Sequence, residues 1–259
     1  MVTQPSRIGA IVLAGGRVPS SLTDRCAHRA LLPIHGKCML EYIVETLQQA
    51  PSVVATAIIA PEGALAALPH LPGLKAPSGD TLVDNMLKGS ELLAADGVTH
   101  LLFITGDIPL LTVESIEAFI TDSLASGAVL TYPIIPREAC ERRFPGAKRT
   151  YVRLQDGTFT GGNVVLTTAK QLREQRSLFQ ELYLARKQPF KLAGLLGWST
   201  VVRMLTGKLS LSYLEPIASR ILQGPVKAII TQYPEIGFDI DKVEDLLAVE
   251  QVLAIERAR

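Results

Sequence analysis

The sequence predicts an α/β protein, a Rossmann-like three-layer sandwich on a mainly parallel mixed sheet. Two observations carry this. Residues 8–14 (IGAIVLA), 53–60 (VVATAIIA), 100–105 (HLLFIT) and 128–134 (AVLTYPI) are short apolar runs rich in β-branched side chains, and read as buried strands. Segments with helical spacing of apolar residues stand between them. Their alternation is the mark of parallel strands covered by helices. Such sheets bind ligands over the carboxyl ends of their strands, where Gly15-Gly16 and Gly106-Asp107 fall.

Strand 8–14 contains or adjoins glycines, and a long polar loop, 15–29, separates it from the apolar segment 30–34. Residues 39–49 place Leu40, Ile43, Val44 and Leu47 on one helical face. After strand 53–60, residues 81–95 read as a helix with Leu82, Met86 and Leu93 inward. Beyond strand 100–105, Thr112 reads as an N-cap with Ser115 in the third helical position, opening a helix to about 124. Strand 128–134 closes the first half. In the second half, 151–154 and 159–166 flank Asp156-Gly157, a hairpin signal. Residues 168–223 read as several helices punctuated by Pro189, Gly194, Gly197, Gly207 and Pro216. Segments 226–231 and 237–240 return as strands, and 242–257 is the closing helix. The expectation is a single domain over 1–259, with 168–223 inserted before the last strands as a helical subdomain or cap.

Length and composition bound the function. A chain of 259 residues, 47% hydrophobic, buries about 70–75% of its unfolded surface on folding. Twenty-six Lys and Arg against 25 Asp and Glu leave a net charge of +1, so no global field recruits nucleic acid. Cys26, Cys38 and Cys140 are widely spaced and include no Cys-x-x-Cys pair, which argues against a disulfide framework or a cysteine zinc site. The N-terminus has no secretory pattern, and no apolar run reaches the ~18 residues of a membrane span. A cytoplasmic protein with no membrane partner is the expectation.

Four constellations carry chemistry. Leu13-Ala14-Gly15-Gly16-Arg17 opens a loop that also holds Arg25 and Arg29; paired glycines bring backbone N–H groups close to phosphate oxygens, and arginines add bidentate contacts. It is neither a P-loop nor a dinucleotide fingerprint. Asp107, between glycine and Ile108-Pro109 at a strand's carboxyl end, is placed for a hard cation such as Mg²⁺ or for capping the next segment. Asp239 and Asp241 share one face of an extended segment, and Asp241 stands where it can cap the last helix. Thr160-Gly161-Gly162-Asn163 suits either a strand bulge or close approach of a ligand.

In order along the chain, IVLAGG at 11–16, ALLPIHGKCMLEYIVETL at 30–47, FITGDIPLLT at 103–112 and FDIDKVEDL at 238–246 resemble the MobA-like nucleotidyltransferases, within the broader nucleotide-sugar pyrophosphorylase fold. The resemblance implies transfer of a nucleoside monophosphate from an NTP to a small phosphorylated metabolite, with Mg²⁺ and release of pyrophosphate. It implies catalytic roles for Arg17, Arg29 and Asp107. Nucleotide binding is implied for Leu13, Ala14, Gly15, Gly16, Arg17, Arg25, Gly79 and Asp107, and acceptor binding for Gly162 and Asn163. The metal set implied is Asp107 with Asp241 or, second, Asp239. The chain departs from the pattern at Arg29, where the family usually has lysine, and at Thr23-Asp24-Arg25-Cys26, where a methionine-glycine pair is common. Its helical stretch is also larger than a minimal member's, and would shape an acceptor pocket, pack a homodimer or touch a membrane. Two alternatives stay open: a nucleotide-sugar-dependent glycosyltransferase using Asp239-Ile240-Asp241, and a degenerate, non-catalytic nucleotide-binding protein.

Overall fold

Residues Ile8–Leu13 form the central strand, β1, and all of it but Leu13 is buried. This is why the run shows no polar alternation: both faces are covered. The computed structural model describes residues 6–185 and 197–257. Its strands continue with a short hairpin, β2 (Pro33–Ile34) and β3 (Lys37–Cys38), then β4 (Val53–Ala60), β5 (Leu74–Pro77) and β6 (His100–Thr105). They end with β7 (Leu130–Pro136), β8 (Val152–Leu154), β9 (Gly157–Gly161), β10 (Val164–Thr168) and β11 (Val226–Ile230). Nine of these make one sheet in the order β5-β4-β1-β6-β10-β7-β9-β8, with β11 on β7. Neighbours β5, β4, β1 and β6 are parallel, as are β7 and β11, while β10 runs antiparallel between β6 and β7. The sheet is thus mixed with a mainly parallel core, as the apolar runs predict.

Helices α1 (Met39–Gln49), α2 (Glu62–Ala67), α3 (Leu82–Leu92), α4 (Val113–Ala125) and α5 (Arg137–Arg143) belong to the first half. The stretch between β10 and β11 holds α6 (Ala169–Glu174), α7 (Arg176–Ala185), α8 (Trp198–Leu205) and α9 (Leu211–Ile221), and α10 (Val243–Arg257) closes the chain. The expected punctuation at Pro189 and Gly194 lies outside the described residues. The predicted cap at Thr112 holds: Ser115 N–H donates to Thr112 Oγ1 (3.1 Å) and Thr112 N–H to Ser115 Oγ (3.2 Å), so a serine completes the box. Leu40, Ile43, Val44 and Leu47 of α1 are fully buried. In α3, Met86 is buried but Leu82 is exposed, because it starts the helix just after the Thr81 cap and α3 turns Val83 and Gly89 inward instead.

Five elements escaped the sequence reading: α2, α5, β5 and the two strands of the β2–β3 hairpin, each short and bordered or interrupted by proline or glycine. Another expectation is overturned. Residues 237–240 form no strand; Pro234–Gly237 is a 3₁₀ turn and the chain then runs extended without a partner strand among the described residues. Phe238 and Ile240 still alternate inward, packed in a cluster with Leu110, Phe144, Leu246 and Val249. Side-chain burial, not a ladder, holds this segment. The hairpin at Asp156-Gly157 forms as predicted, with Leu154 opposite Gly157. Its return strand is bent into β9 and β10 at Gly162-Asn163, where Gly162 N–H donates to Pro133 O and Asn163 N–H to Ile236 O, both 2.9 Å. A Cβ on Gly162 would lie 2.7 Å from Pro133 Cγ and 2.8 Å from Ile236 Cγ2, so only glycine passes there.

Candidate active site

The carboxyl end of β6 delivers Gly106-Asp107 beside the loop that follows β1. Gly106 N–H donates to Leu13 O (3.0 Å), and a Cβ on Gly106 would stand 2.6 Å from that of Ala14. The two loops therefore touch backbone to backbone. Thr105 Oγ1 donates to Asp107 Oδ1 (2.5 Å) and fixes the carboxylate. Across the site, Ile240 N–H donates to the main-chain oxygen of Asp107 (3.1 Å). That bond brings the 238–241 segment against the end of β6, with Phe238 and Ile240 turned into the core and the aspartates turned out. One carboxylate oxygen from each of Asp107, Asp239 and Asp241 lies within 4.8 Å of the other two.

Two arginines answer this charge. Arg29 Nη2 stands 3.0 Å from Asp107 Oδ2 and 2.7 Å from Asp241 Oδ1, and also donates to Ile240 O at 2.7 Å. Arg149 Nη1 reaches Asp239 Oδ1 at 2.7 Å while its guanidinium lies 5.0 Å over the Phe238 ring. Among the described residues, Arg29 Nε is buried without a partner. Burial pushes the Asp107 carboxyl above its ordinary value, Arg29 and the Thr105 hydroxyl pull it back, and Asp239 and Asp241 push it further up.

Asp241 does not cap the last helix. Asp245 Oδ2 accepts the N–H groups of both Asp241 and Lys242, each at 3.1 Å, so the capping falls to a carboxylate one turn inside. The Asp241 side chain, 65% exposed, is left to face Arg29 and solvent.

The other predicted residues divide into two groups. Leu13, Ala14, Gly16, Arg29, Gly106 and Asp107 line one small cleft of about 20 Å³. Gly15 packs on the 78–79 turn, where a Cβ added to Gly15 would be 2.9 Å from that of Ser78, and Gly79 N–H donates to Asn85 Oδ1 (2.6 Å). Gly162 and Asn163 share a cavity of about 520 Å³ with Asp239, Asp241, Arg149, Lys148 and Lys242. Arg17 and Arg25, by contrast, are exposed and form no ion pair among the described residues. A further cavity of about 580 Å³, between 143–148 and α10, shares Lys148, Lys242 and Asp245 but contains none of the three clustered carboxylates.

Sequence reasoning missed Thr105, Arg149 and Asp245. Thr105 and Asp245 carried signals, the first two residues before Asp107 and the second at the N3 position of a helix. Arg149 carried none, since it meets Asp239 across 90 residues of chain.

This is the fold of the nucleotidyltransferases, with a glycine loop and acidic elements meeting at the carboxyl ends of its parallel strands. The chain belongs to the MobA-like NTP transferase domain family, whose model matches residues 10–195. It is similar to a hypothetical transferase from Thermus thermophilus, with 39% identity over 93% of this chain and 99% of that one and a TM-score of 0.80. In fold it is also similar to a CMP:2-keto-3-deoxy-manno-octonic acid synthetase solved with CTP (13% identity, 97% and 100% coverage, TM-score 0.62). The 4-diphosphocytidyl-2C-methyl-D-erythritol synthase of Anaerococcus prevotii shares the fold as well (12% identity, 96% and 99% coverage, TM-score 0.59). No curated protein sequence matches the chain significantly. Among the described residues, no helix is long and apolar enough to cross a membrane.

Proposed function

We propose that this protein is a Mg²⁺-dependent nucleotidyltransferase that moves a nucleoside monophosphate from an NTP to a small phosphorylated acceptor and releases pyrophosphate. The observation that carries the reading is the meeting of Asp107, Asp239 and Asp241 beside the Gly15-Gly16 loop and Arg29. The three carboxylates fit a hard cation: all donors are oxygens, they lie within 4.8 Å of one another, and exposed Asp241 leaves room for water and phosphate ligands. Asp107 and Asp241, with Asp239, are the residues that would hold it. The ion, when bound, supplies charge neutralisation at the transferring phosphate.

The rest of the chemistry belongs to the chain. Leu13, Ala14, Gly15, Gly16 and Gly79 form the backbone cradle of the nucleotide, and Arg17, Arg25 and Arg29 face its phosphates. Gly162 and Asn163 receive the acceptor. An oxygen of the acceptor's phosphate bonds to the α-phosphorus as the bond from that phosphorus to the β-phosphate bridge breaks, and the electron pair leaves on pyrophosphate. The attacking oxygen is already anionic, so no general base is required; alignment and cationic charge are. We place the chain as one domain, active in the cytoplasm, with its helical stretch around 168–223 serving as a cap over the acceptor side or as a homodimer surface.

Pyrophosphate release from each of the four NTPs with Mg²⁺ and a panel of sugar phosphates and pterin phosphates tests the reading. One observation favours a second reading: Arg29 ties up two of the three carboxylates, as a non-catalytic nucleotide binder would tolerate. Nucleotide binding without pyrophosphate release from any acceptor would decide for it. Sugar transfer from a nucleotide sugar would decide for the glycosyltransferase alternative.

A further inference from the structure

Arg29 stands on the border between the acidic cluster and the glycine loop. Among the described residues its Nη2 makes the hydrogen bonds of the guanidinium, to Asp241 Oδ1 and Ile240 O, and pairs with Asp107 Oδ2 at 3.0 Å. Among the described residues the other two nitrogens have no hydrogen-bond partner: Nη1 lies 3.7 Å from where a Cβ on Gly16 would be, and Nε is buried. One face of the fork thus holds carboxylates while the other points toward the phosphate-binding loop.

A divalent cation on Asp107 and Asp241 would bind the same two carboxylates that Arg29 holds at 3.0 and 2.7 Å. Two cations cannot share them at hydrogen-bond distance without strong mutual repulsion. Formal charge agrees. Three aspartates against Arg29 and Arg149 sum to −1, too little for a divalent ion; with Arg29 withdrawn and Arg149 still on Asp239, Asp107 and Asp241 present −2. A triphosphate on the Gly15-Gly16 loop offers the guanidinium more negative charge and a planar, bidentate partner for Nη1 and Nε.

We infer that Arg29 couples the two ligands: it is the counter-cation of Asp107 and Asp241 until nucleotide phosphates draw it away, and only then is the metal site open. The inference rests on the nucleotidyltransferase reading for the identity of the second ligand, but the competition between Arg29 and metal does not. Nucleotide and metal then bind with positive, reciprocal coupling, and removing the guanidinium abolishes the share it imposes.

The test is Mn²⁺ binding to the full-length protein, followed by electron paramagnetic resonance of the free ion. Without nucleotide, Arg29→Gln is expected to bind Mn²⁺ about 5–150-fold more tightly than the wild type, the usual span of such couplings. Arg29→Lys, which keeps one charge on a single nitrogen but has nothing in place of Nη1 and Nε toward the Gly16 loop, is expected to fall between them and serves if the glutamine variant does not fold. With α,β-methylene analogues of the four NTPs, metal affinity should rise more in the wild type than in either variant. Equal or weaker Mn²⁺ binding by the variants without nucleotide would overturn the inference, as would equal gains on adding nucleotide. If no analogue binds, the nucleotidyltransferase reading and the coupling both fall, while a variant that still binds Mn²⁺ more tightly shows that the competition itself is real.

Discussion

Asp245 accepts the backbone N–H of Asp241 at 3.1 Å, and by doing so frees the Asp241 side chain from helix capping. The same oxygen takes the N–H of Lys242, so one carboxylate closes the start of α10 and sets the direction in which Asp241 leaves it. Asp245→Ala should therefore cost about 0.5–2 kcal/mol, the range for a lost cap, in a thermal or denaturant melt. Transferase activity should fall further than that stability loss explains, because Asp241 would then compete for the vacated N–H groups. Activity unchanged in a folded Asp245→Ala protein would count against the positioning role.

Asp107 is held by Thr105 and Arg29 and carries the metal in the proposed reaction. Asp107→Asn keeps the shape and can still accept from the Thr105 hydroxyl. It removes a buried carboxylate whose ionisation burial already opposes, so the folded state should lose little. The expected melting temperature stays within ~4 °C of the wild type, about one kcal/mol for a chain of this size. Pyrophosphate release should drop by about 10²–10³-fold, the scale of losing one preorganised charge-stabilising group. A folded variant with full Mg²⁺-dependent activity would sink the assignment of Asp107.

Gly162 lies at the bend between β9 and β10 with Pro133 and Ile236 on either side. A methyl group there meets carbons at 2.7 and 2.8 Å, one of them in a proline ring that cannot rotate away. Gly162→Ala is expected to destabilise the fold by about 1–3 kcal/mol as an overpacked site. Because Gly162 and Asn163 line the cavity beside Asp239 and Asp241, KM for the acceptor should rise while nucleotide binding, read by thermal shift, is unchanged.

What could be read in advance follows from which forces are local. Apolar runs such as 8–13 and 100–105 are buried on both faces, so their composition alone identifies them as strands. The loop glycines and Asp107 were placed by the rule that ligands sit at strand carboxyl ends, a property of the architecture more than of any one residue. The failures lie where a distant partner decides. Nothing near Phe238 shows that its neighbour strand is missing and that Leu110 and Phe144 hold it instead. Nothing near Arg149 points to Asp239, and nothing near Arg29 to Asp241, 212 residues away. Which aspartate caps α10 is hidden in the same way: Asp241 and Asp245 both lie near its start, and only the direction of the chain entering α10 chooses between them.

Glu235 gives a prediction about pH. It lies in the 3₁₀ turn before Phe238, is 8% exposed, and accepts a hydrogen bond from Thr112 Oγ1 at 3.3 Å. Burial raises its carboxyl above the ordinary 4.5, a push that the hydrogen bonds and Arg143 only partly offset. In the unfolded chain the group loses its proton near the ordinary value; in the folded protein it keeps it to higher pH. Between those two values the folded state binds more protons, so stability falls as pH rises through the window and is lowest above it. Glu235→Gln has no proton to lose and its amide oxygen still accepts from Thr112. The variant's melting temperature should therefore gain on the wild type's as pH is raised from below 4.5 toward neutrality, with the difference levelling off above the folded value. A difference that stays constant across that range would show that Glu235 is ionised at its ordinary pH in the folded protein.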